Sequence, residues 1–387
     1  MPRWLQFTIF VTAMIAVYGG SHLYLYRRIA RVLGLEPGTR WRRVLRAALF
    51  GLALSFPLAM GLNRWHVCWP TQVLYCVAAC WMGLYLYLLM FTIDLHLLEW
   101  LLRKLALWPR LEALLRVRPD RAGVALVAAT SLGLGTYGLI RAAGPLEVSE
   151  VEVPMPGLPA ELDGTTVVQL TDVHIGAIIS SERLERVARE VAALEPDLVV
   201  ITGDLVDEDA DHVVVTEQSL KKLHAPLGVF ASTGNHEFYA GVDGAVEHFE
   251  HGGIRTLRNE VVALAGGGLL LAGIDDPTGA RFDGVEVRFA DVLTPQTRDR
   301  PMIVLYHQPR HFDEFVALGA DLVLAGHTHG GQFWPISWIQ KLIYPWEPGL
   351  SRVGAGYGYV SRGVGTWGPP MRVGAPPELV RITLRSN

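Results

Sequence analysis

Cysteine is scarce and confined. The chain of 387 residues has three, Cys68, Cys76 and Cys80. All lie in one apolar stretch, so the chain beyond them cannot hold an internal disulfide and must be held by packing. Charge is sparse too: 19% of residues are charged and 50% hydrophobic, which excludes a disordered or collagen-like chain. Asp, Glu, Lys and Arg are absent from Leu5 to Tyr26, Ala47 to Asn63, Trp65 to Ile93 and Ala122 to Ile140. A helix crosses about 30 Å of hydrocarbon with about 20 residues, so each stretch can span a bilayer, the second only barely and with Pro57 inside it. No polar face recurs at the helical period, which argues against a soluble bundle. The run from Tyr18 to Tyr24 has no Ala-x-Ala site, which argues against a cleaved signal. Four transmembrane helices are expected, over about residues 5–26, 46–63, 71–93 and 122–140.

The charges present are unevenly split. Residues 1–146 carry 16 Lys and Arg against 5 Asp and Glu, whereas residues 147–387 carry 18 against 33. A basic membrane module, 1–146, is therefore joined to an acidic domain, 147–387. The loop after the first span holds Arg27, Arg28, Arg31, Arg40, Arg42, Arg43 and Arg46, and the loop after the third holds Arg103, Lys104, Arg110, Arg116, Arg118 and Arg121. Only Arg3, Arg64 and Arg141 lie near the other helix ends. The cation bias puts the two rich loops in the cytoplasm and the acidic domain outside it, on a multi-pass protein of the cell membrane. Leu95 to Leu115 sets leucines and Trp100 and Trp108 against Arg and Glu, the pattern of a helix lying in the interface. Gly133, Gly135 and Gly138 fit a dinucleotide fingerprint in spacing, but inside an apolar helix they read as helix packing.

From Glu147 the pattern becomes that of an α/β domain. Strands are expected at Thr166–Leu170, Leu198–Thr202, Leu227–Ala231, Leu269–Ile274, Met302–Tyr306 and Leu322–Ala325. Helices are expected at Glu182–Leu194, capped by Ser181, and at His212–His224. Five polar clusters follow strand ends: Asp172-Val-His174, Gly203-Asp204-Leu-Val-Asp207, Gly234-Asn235-His236-Glu237, His307, and Gly326-His327-Thr-His329-Gly330-Gly331-Gln332. The carboxyl ends of strands are where open α/β sheets place ligands. One Asp-x-His or His-x-His is usually a turn cap or a surface pair. Five such clusters in register with strands are a different object. Mixed carboxylate, imidazole and amide ligands suit Mn, Fe, Zn or Ni, and a carboxylate can bridge two ions ~3.5–4 Å apart.

These blocks, in this order over residues 165–332, resemble the calcineurin-like metallophosphoesterase superfamily. Gly-His-Thr-His-Gly-Gly-Gln and the tail from Tyr359 to Pro377 resemble its membrane-anchored bacterial branch. The resemblance implies an α/β fold with two mixed β-sheets flanked by helices, here behind a four-helix transmembrane module that the commonest architecture lacks. It further implies two divalent metal ions, the first held by Asp172, His174 and His329, the second by Asn235, His307 and His327, with Asp204 bridging both. His236 is implied as the catalytic residue, sitting over the substrate phosphate to protonate the leaving oxygen or to stabilise the transition state. Asp207 and Glu237 are read as orienting the ligands.

The remaining signals are weaker. His212, His224, His248, His251 and His311 fit no block and read as surface or capping residues. Gly363, Gly365 and Gly368 form another fingerprint in spacing, but Pro369-Pro370 follows and no helix can open there. Phe333 to Trp346, with three Trp residues, fits core or a lid and membrane-facing rim equally. The acidic domain argues against nucleic acid, and no protein partner is evident. The expected activity is hydrolysis of a phosphoester or pyrophosphate at the outer face of the cytoplasmic membrane, with lipid-linked substrates among the candidates. The alternatives are a sensor or transporter with a metal-binding outer domain, and a lipid pyrophosphatase facing the cytoplasm if the topology is reversed.

Overall fold

The computed structural model describes residues 3–66, 68–115, 118–207, 216–282, 284, 286–297 and 300–386. Two compact units divide at Gly138/Leu139.

The first unit is helical: α1 (Arg3–Val32), α2 (Arg40–Trp65), α3 (Trp69–Lys104), α4 (Trp108–Leu115) and most of α5 (Pro119–Ala143). Thr39 caps α2 by accepting from the amide of Arg42 at 3.4 Å. Among the described residues, three helices are long and apolar enough to cross a membrane: Arg40–Asn63, Trp69–Lys104 and Pro119–Ala143. The separate interfacial helix expected over 95–115 does not form. α3 runs on to Lys104, past Asp94, which ends the uncharged stretch, and past Glu99, which is buried against the guanidinium of Arg28 on α1. Only the last part, α4, is a helix of its own, opened by Trp108-Pro109.

The second unit is a sandwich of two six-stranded mixed sheets. The first has the order β1-β12-β2-β3-β4-β5, with β1 (Glu147–Met155), β12 (Glu378–Ser386), β2 (Thr166–Leu170), β3 (Leu198–Thr202), β4 (Val229–Ser232) and β5 (Arg255–Thr256). The second has the order β10-β11-β9-β8-β7-β6, with β10 (Gly349–Val353), β11 (Gly356–Val360), β9 (Leu322–Ala325), β8 (Met302–Tyr306), β7 (Leu269–Ile274) and β6 (Glu260–Leu264). β2, β3 and β4 run parallel, as do β7, β8, β9 and β11.

These central strands are buried on both faces, which is why they read as unbroken apolar runs. Alternate residues serve different cores. Val167, Val200 and Phe230 meet Leu271, Ile303, Leu305 and Leu324 between the sheets. Val168, Val199 and Ile201 face helix α6 (Ser181–Ala192), and Ala272, Val304 and Val323 face Phe312 and Phe315 of the helix Phe312–Ala317. α6 buries Leu184, Val187, Ala188 and Val191, the i, i+3, i+4, i+7 stripe of an amphipathic helix, with about 2 kcal/mol from each larger side chain. Its cap is Ser180, one residue before the one expected, whose hydroxyl accepts from the amide of Arg183 at 3.4 Å. Of the helix expected at 212–224, residues 212–215 lie outside the described ones, and the described part contains one helical turn, Glu217–Leu220.

Candidate metal centre

Every predicted site residue follows the carboxyl end of a parallel strand. Asp172 and His174 lie after β2, Asp204 and Asp207 after β3, Asn235, His236 and Glu237 after β4, His307 after β8, and His327 and His329 after β9. The chain turns sharply there. Asp172, His174, Asp204, His327 and His329 have left-handed φ of 53, 54, 51, 70 and 50°, a conformation that non-glycine residues rarely adopt and that clusters at functional sites. Gly326 lets these turns interlock, since a Cβ there would sit 2.3 Å from Asp172 Oδ2. On the other side Gly363, at φ +76°, leaves no room for a Cβ, which would stand 2.7 Å from the Asp172 Cβ.

The polar atoms converge in overlapping groups. Ligand atoms of Asp172, His174 and His329 lie within 4.8 Å of one another, as do those of Asp204, His307 and His327 and those of His174, Asp204 and His236. His174 Nε2 faces His329 Nε2 at 3.1 Å, and His307 Nε2 faces His327 Nδ1 at 3.1 Å. Asp204 joins the groups: its Oδ2 is 3.0 Å from His307 Nε2 and 3.9 Å from His174 Nε2, while its Oδ1 accepts from the amide of His236 at 2.9 Å. The Asn235 Oδ1 is buried with no hydrogen-bond partner. An uncapped buried amide oxygen and paired imidazole nitrogens that face each other fit cation ligation, which satisfies all of them at once.

Local partners set tautomer and charge. His307 Nδ1 lies 2.7 Å from the carbonyl of Thr202 and donates to it, which turns Nε2 toward Asp204; burial lowers its pKa, but the charge of Asp204 and the hydrogen bond to it outweigh that and hold it well above the usual imidazole range. Burial, then the charge of His307, pushes His327 down to about 3. Burial, then Arg372, pushes His329 well below the usual imidazole range, so both are neutral, the form that binds metal. His236 goes the other way: burial lowers it, but the hydrogen bond to Asp207 and the charges of Asp204 and Asp207 outweigh that and push it up to about 9. Its Nδ1 is 2.6 Å from the Asp207 carbonyl and 3.2 Å from Asp207 Oδ1, which leaves Nε2 as the free ring nitrogen.

Glu237 is fully buried and accepts four backbone amides, Leu205 and Val206 at Oε1 (2.8 and 3.2 Å), Asp204 and Gly234 at Oε2 (3.0 and 2.6 Å). This orients the β3 and β4 loops, the role expected for it. Two residues escaped the sequence reading. Arg372 is buried without a carboxylate partner and donates to the carbonyls of His329, Arg362, Gly363, Gly365 and Ala375. Burial lowers its pKa to about 9. It staples the tail loop to the His329 turn. The Tyr344 hydroxyl lies 2.7 Å from His327 Nε2. Neither stands within the five blocks, although Arg372 lies in the tail from Tyr359 to Pro377.

The site opens into a cavity of about 520 Å³ lined by His174, Asp204, Asn235, His236, His327 and His329 on one side and by Phe333, Ile336, Ile339, Ile343, Tyr344 and Trp367 on the other. The larger cavity of about 750 Å³ around Arg258, Asp275 and Glu314 contains none of the clustered residues. His248 and His251 flank Glu217 at 2.8 and 3.7 Å, outside this site. His212 lies outside the described residues.

Residues 165–331 match the family described as calcineurin-like phosphoesterase. A relative from Danio rerio, named a transmembrane protein with metallophosphoesterase domain, is 31% identical across 98% of this chain and 89% of its own length. The chain belongs to the calcineurin-like metallophosphoesterases. It is thus a metal-dependent phosphoesterase, a hydrolase. A Bos taurus relative with the same description is 30% identical over 99% of this chain and 89% of its own. An uncharacterized metallophosphoesterase from Aquifex aeolicus is 38% identical over 57% of this chain and 85% of its own. The two vertebrate matches include the apolar helices as well as the sandwich, so that combination is not peculiar to the bacterial branch.

Proposed function

We propose that this metallophosphoesterase is anchored in the cytoplasmic membrane by four spans, with α1 as the fourth, and hydrolyses a phosphoester or pyrophosphate bond at the outer face, on substrates that include lipid-linked ones. The domain at 147–387 is then extracytoplasmic, a reading supported by the thirteen cations of the two loops against three near the opposite helix ends.

The observation that carries the chemistry is Asp204, whose one carboxylate stands between the Asp172–His174–His329 group and the His307–His327 group. In this reading Asp172, His174 and His329 hold one divalent ion, Asn235, His307 and His327 the other, and Asp204 both. Two such ions, when bound, supply Lewis acidity toward phosphoryl oxygens and a source of hydroxide near neutral pH. The chain supplies the rest. His236 presents Nε2 to the leaving oxygen as proton donor, and Asp207 holds its Nδ1 so that the ring cannot turn away. Glu237 fixes the backbone that carries Asp204, and Arg372 fixes the turn that carries His329.

Metal analysis of the full chain in detergent, with aryl phosphomonoesters, phosphodiesters and lipid pyrophosphates as substrates, tests this. Two equivalents of divalent metal are expected. Asp204→Asn is expected to lower occupancy at both sites and abolish turnover, and loss of only one ion would remove Asp204 as the bridge.

A further inference from the structure

The wall opposite the ligands is made by one short helix, Ile336–Ile343, and its composition is unusual for a surface element. Ile336, Ile339 and Ile343 line the cavity at helical spacing. On the outer side Trp338 is 62% and Leu342 87% exposed. Ile339 and Ile343 do both, lining the cavity while 54% and 55% exposed. One apolar surface therefore runs from solvent into the site without a break. Trp334 packs edge-on against Trp338, with ring centroids 5.9 Å apart, and Trp367 extends the patch at the cavity mouth. Lys341, the helix's only charge, is paired with Glu347. Trp346 is no part of this rim: it stacks on Phe312 at 5.4 Å and packs into the outer core of the second sheet. The expected Trp-rich segment thus divides into a rim and a core residue.

A large apolar patch at a cavity mouth marks an interaction surface. Its occupant is narrowed by two facts. Among the described residues no Lys or Arg lines the cavity, so beyond the ligand groups the wall offers no side-chain cation to further phosphates or to a nucleic-acid backbone. Among the described residues three helices are fit to cross a membrane, and only Gly144 to Leu146 separates α5 from β1, so the chain itself tethers the domain to the bilayer that α5 crosses.

We infer that the Ile336–Ile343 helix is a lipid-facing doorway and that the substrate is a phosphorylated lipid, its phosphoryl group at the ligand side and its first methylenes along Ile336, Ile339 and Ile343. This rests on the phosphoesterase reading above and narrows its substrates to lipids held along this wall. It also assigns the specificity to residues outside the five blocks.

The test uses the full chain in nanodiscs, loaded with Mn, and a series of n-alkyl phosphates from methyl to octyl as inhibitors of bis(p-nitrophenyl) phosphate hydrolysis. Each methylene laid on the wall is expected to tighten inhibition about twofold or more, since full burial of one is worth about fourfold. Ile339→Ser is expected to flatten that slope. Inhibition that does not change with chain length, or that is stronger for thymidine 5′-phosphate than for octyl phosphate, overturns the inference and leaves the phosphoesterase reading intact. No hydrolysis of the soluble ester at all would instead count against that reading. A second measurement needs no turnover: Leu342→Cys, with Cys68, Cys76 and Cys80 changed to Ser, labelled with a nitrobenzoxadiazole dye and placed in phosphatidylcholine vesicles. Doxyl-labelled lipid is expected to quench the dye, and emission typical of water without quenching would remove the membrane from the proposal.

Discussion

Two ligand-bearing loops hang on the carboxylate of Glu237, and Glu237→Gln is the smallest change that separates its charge from its shape. Oε1 takes the amides of Leu205 and Val206, and Oε2 those of Asp204 and Gly234. Glutamine keeps one oxygen and puts an NH2 where the other stood, so two buried N–H groups face a donor. Each unsatisfied buried donor costs ~1–3 kcal/mol, which gives about 3 kcal/mol for the pair. For a domain of ~150–250 residues 1 kcal/mol moves Tm by about 2–4 °C, so a fall of about 6–12 °C is expected. Near-UV circular dichroism of the full chain in detergent, heated at one fixed rate, reads it. Glu237→Ala frees all four amides, but water can enter the space left, and about 4 kcal/mol is expected. The mechanism also predicts lower metal content, because the amide of Asp204 is one of the four. A glutamine variant that melts within about 1 °C of the wild type would mean that the carboxylate's charge is not what holds the loops.

Other expectations are independent of that one. His236→Ala should keep its metals and lose about 10²–10⁴ in rate, less for leaving groups too acidic to need a proton; a metal site emptied by this change would show His236 to be a ligand. Glu378 accepts from the Tyr359 hydroxyl at 2.9 Å and the Arg362 amide at 2.8 Å and pairs with Arg362, so Glu378→Ala should cost about 3 kcal/mol by urea denaturation. Burial alone would raise its pKa, but the Arg362 amide, Ser149 and the Arg362 charge outweigh it and hold it below the usual carboxylate range. Its contribution is therefore complete above the ordinary Glu pKa, about 4.3, and lost as pH falls through the lower, folded-state value. Acid melts of wild type and Glu378→Gln should converge there. A phosphatase reporter joined after Asn387 should be active only if exported, and a fluorescent reporter that folds only in the cytoplasm should stay dark; the reverse would place the site on the inner face.

Those strands whose bounds were legible in the sequence share one property. β2, β3, β7, β8 and β9 have the expected ends, because they are buried on both faces and a polar site residue or glycine cuts off each apolar run. β1 and β12 were not anticipated. Their Glu, Arg and Thr alternate with apolar residues, and they pair across more than two hundred residues, Glu147 with Glu378, which no local window can register. β10 carries Ser351 and Arg352 in its middle, and four of the five residues of β11 are glycine or tyrosine, Gly356-Tyr-Gly358-Tyr. The five site blocks were readable because each is welded to a strand end. Arg372 and Tyr344 act from loops with no period, where only the folded contacts reveal their partners. The continuity of α3 was hidden for another reason: Asp94 looks like an end, and the partner that buries Glu99 beyond it, Arg28, is distant in sequence.

The place of β12 bears on how such a protein is made. The last strand lies between β1 and β2, parallel to one and antiparallel to the other, and β1 has no other neighbour in its sheet. While the ribosome is still short of Glu378, the nascent chain has a β1 with nothing to pair with and an open edge on β2. Such edges invite pairing with other chains. The sheet that carries Asp172 and Asp204 closes only once residues 378–386 have been made, so the domain is committed to a side of the membrane, and exposed to whatever chaperones work there, before its site exists.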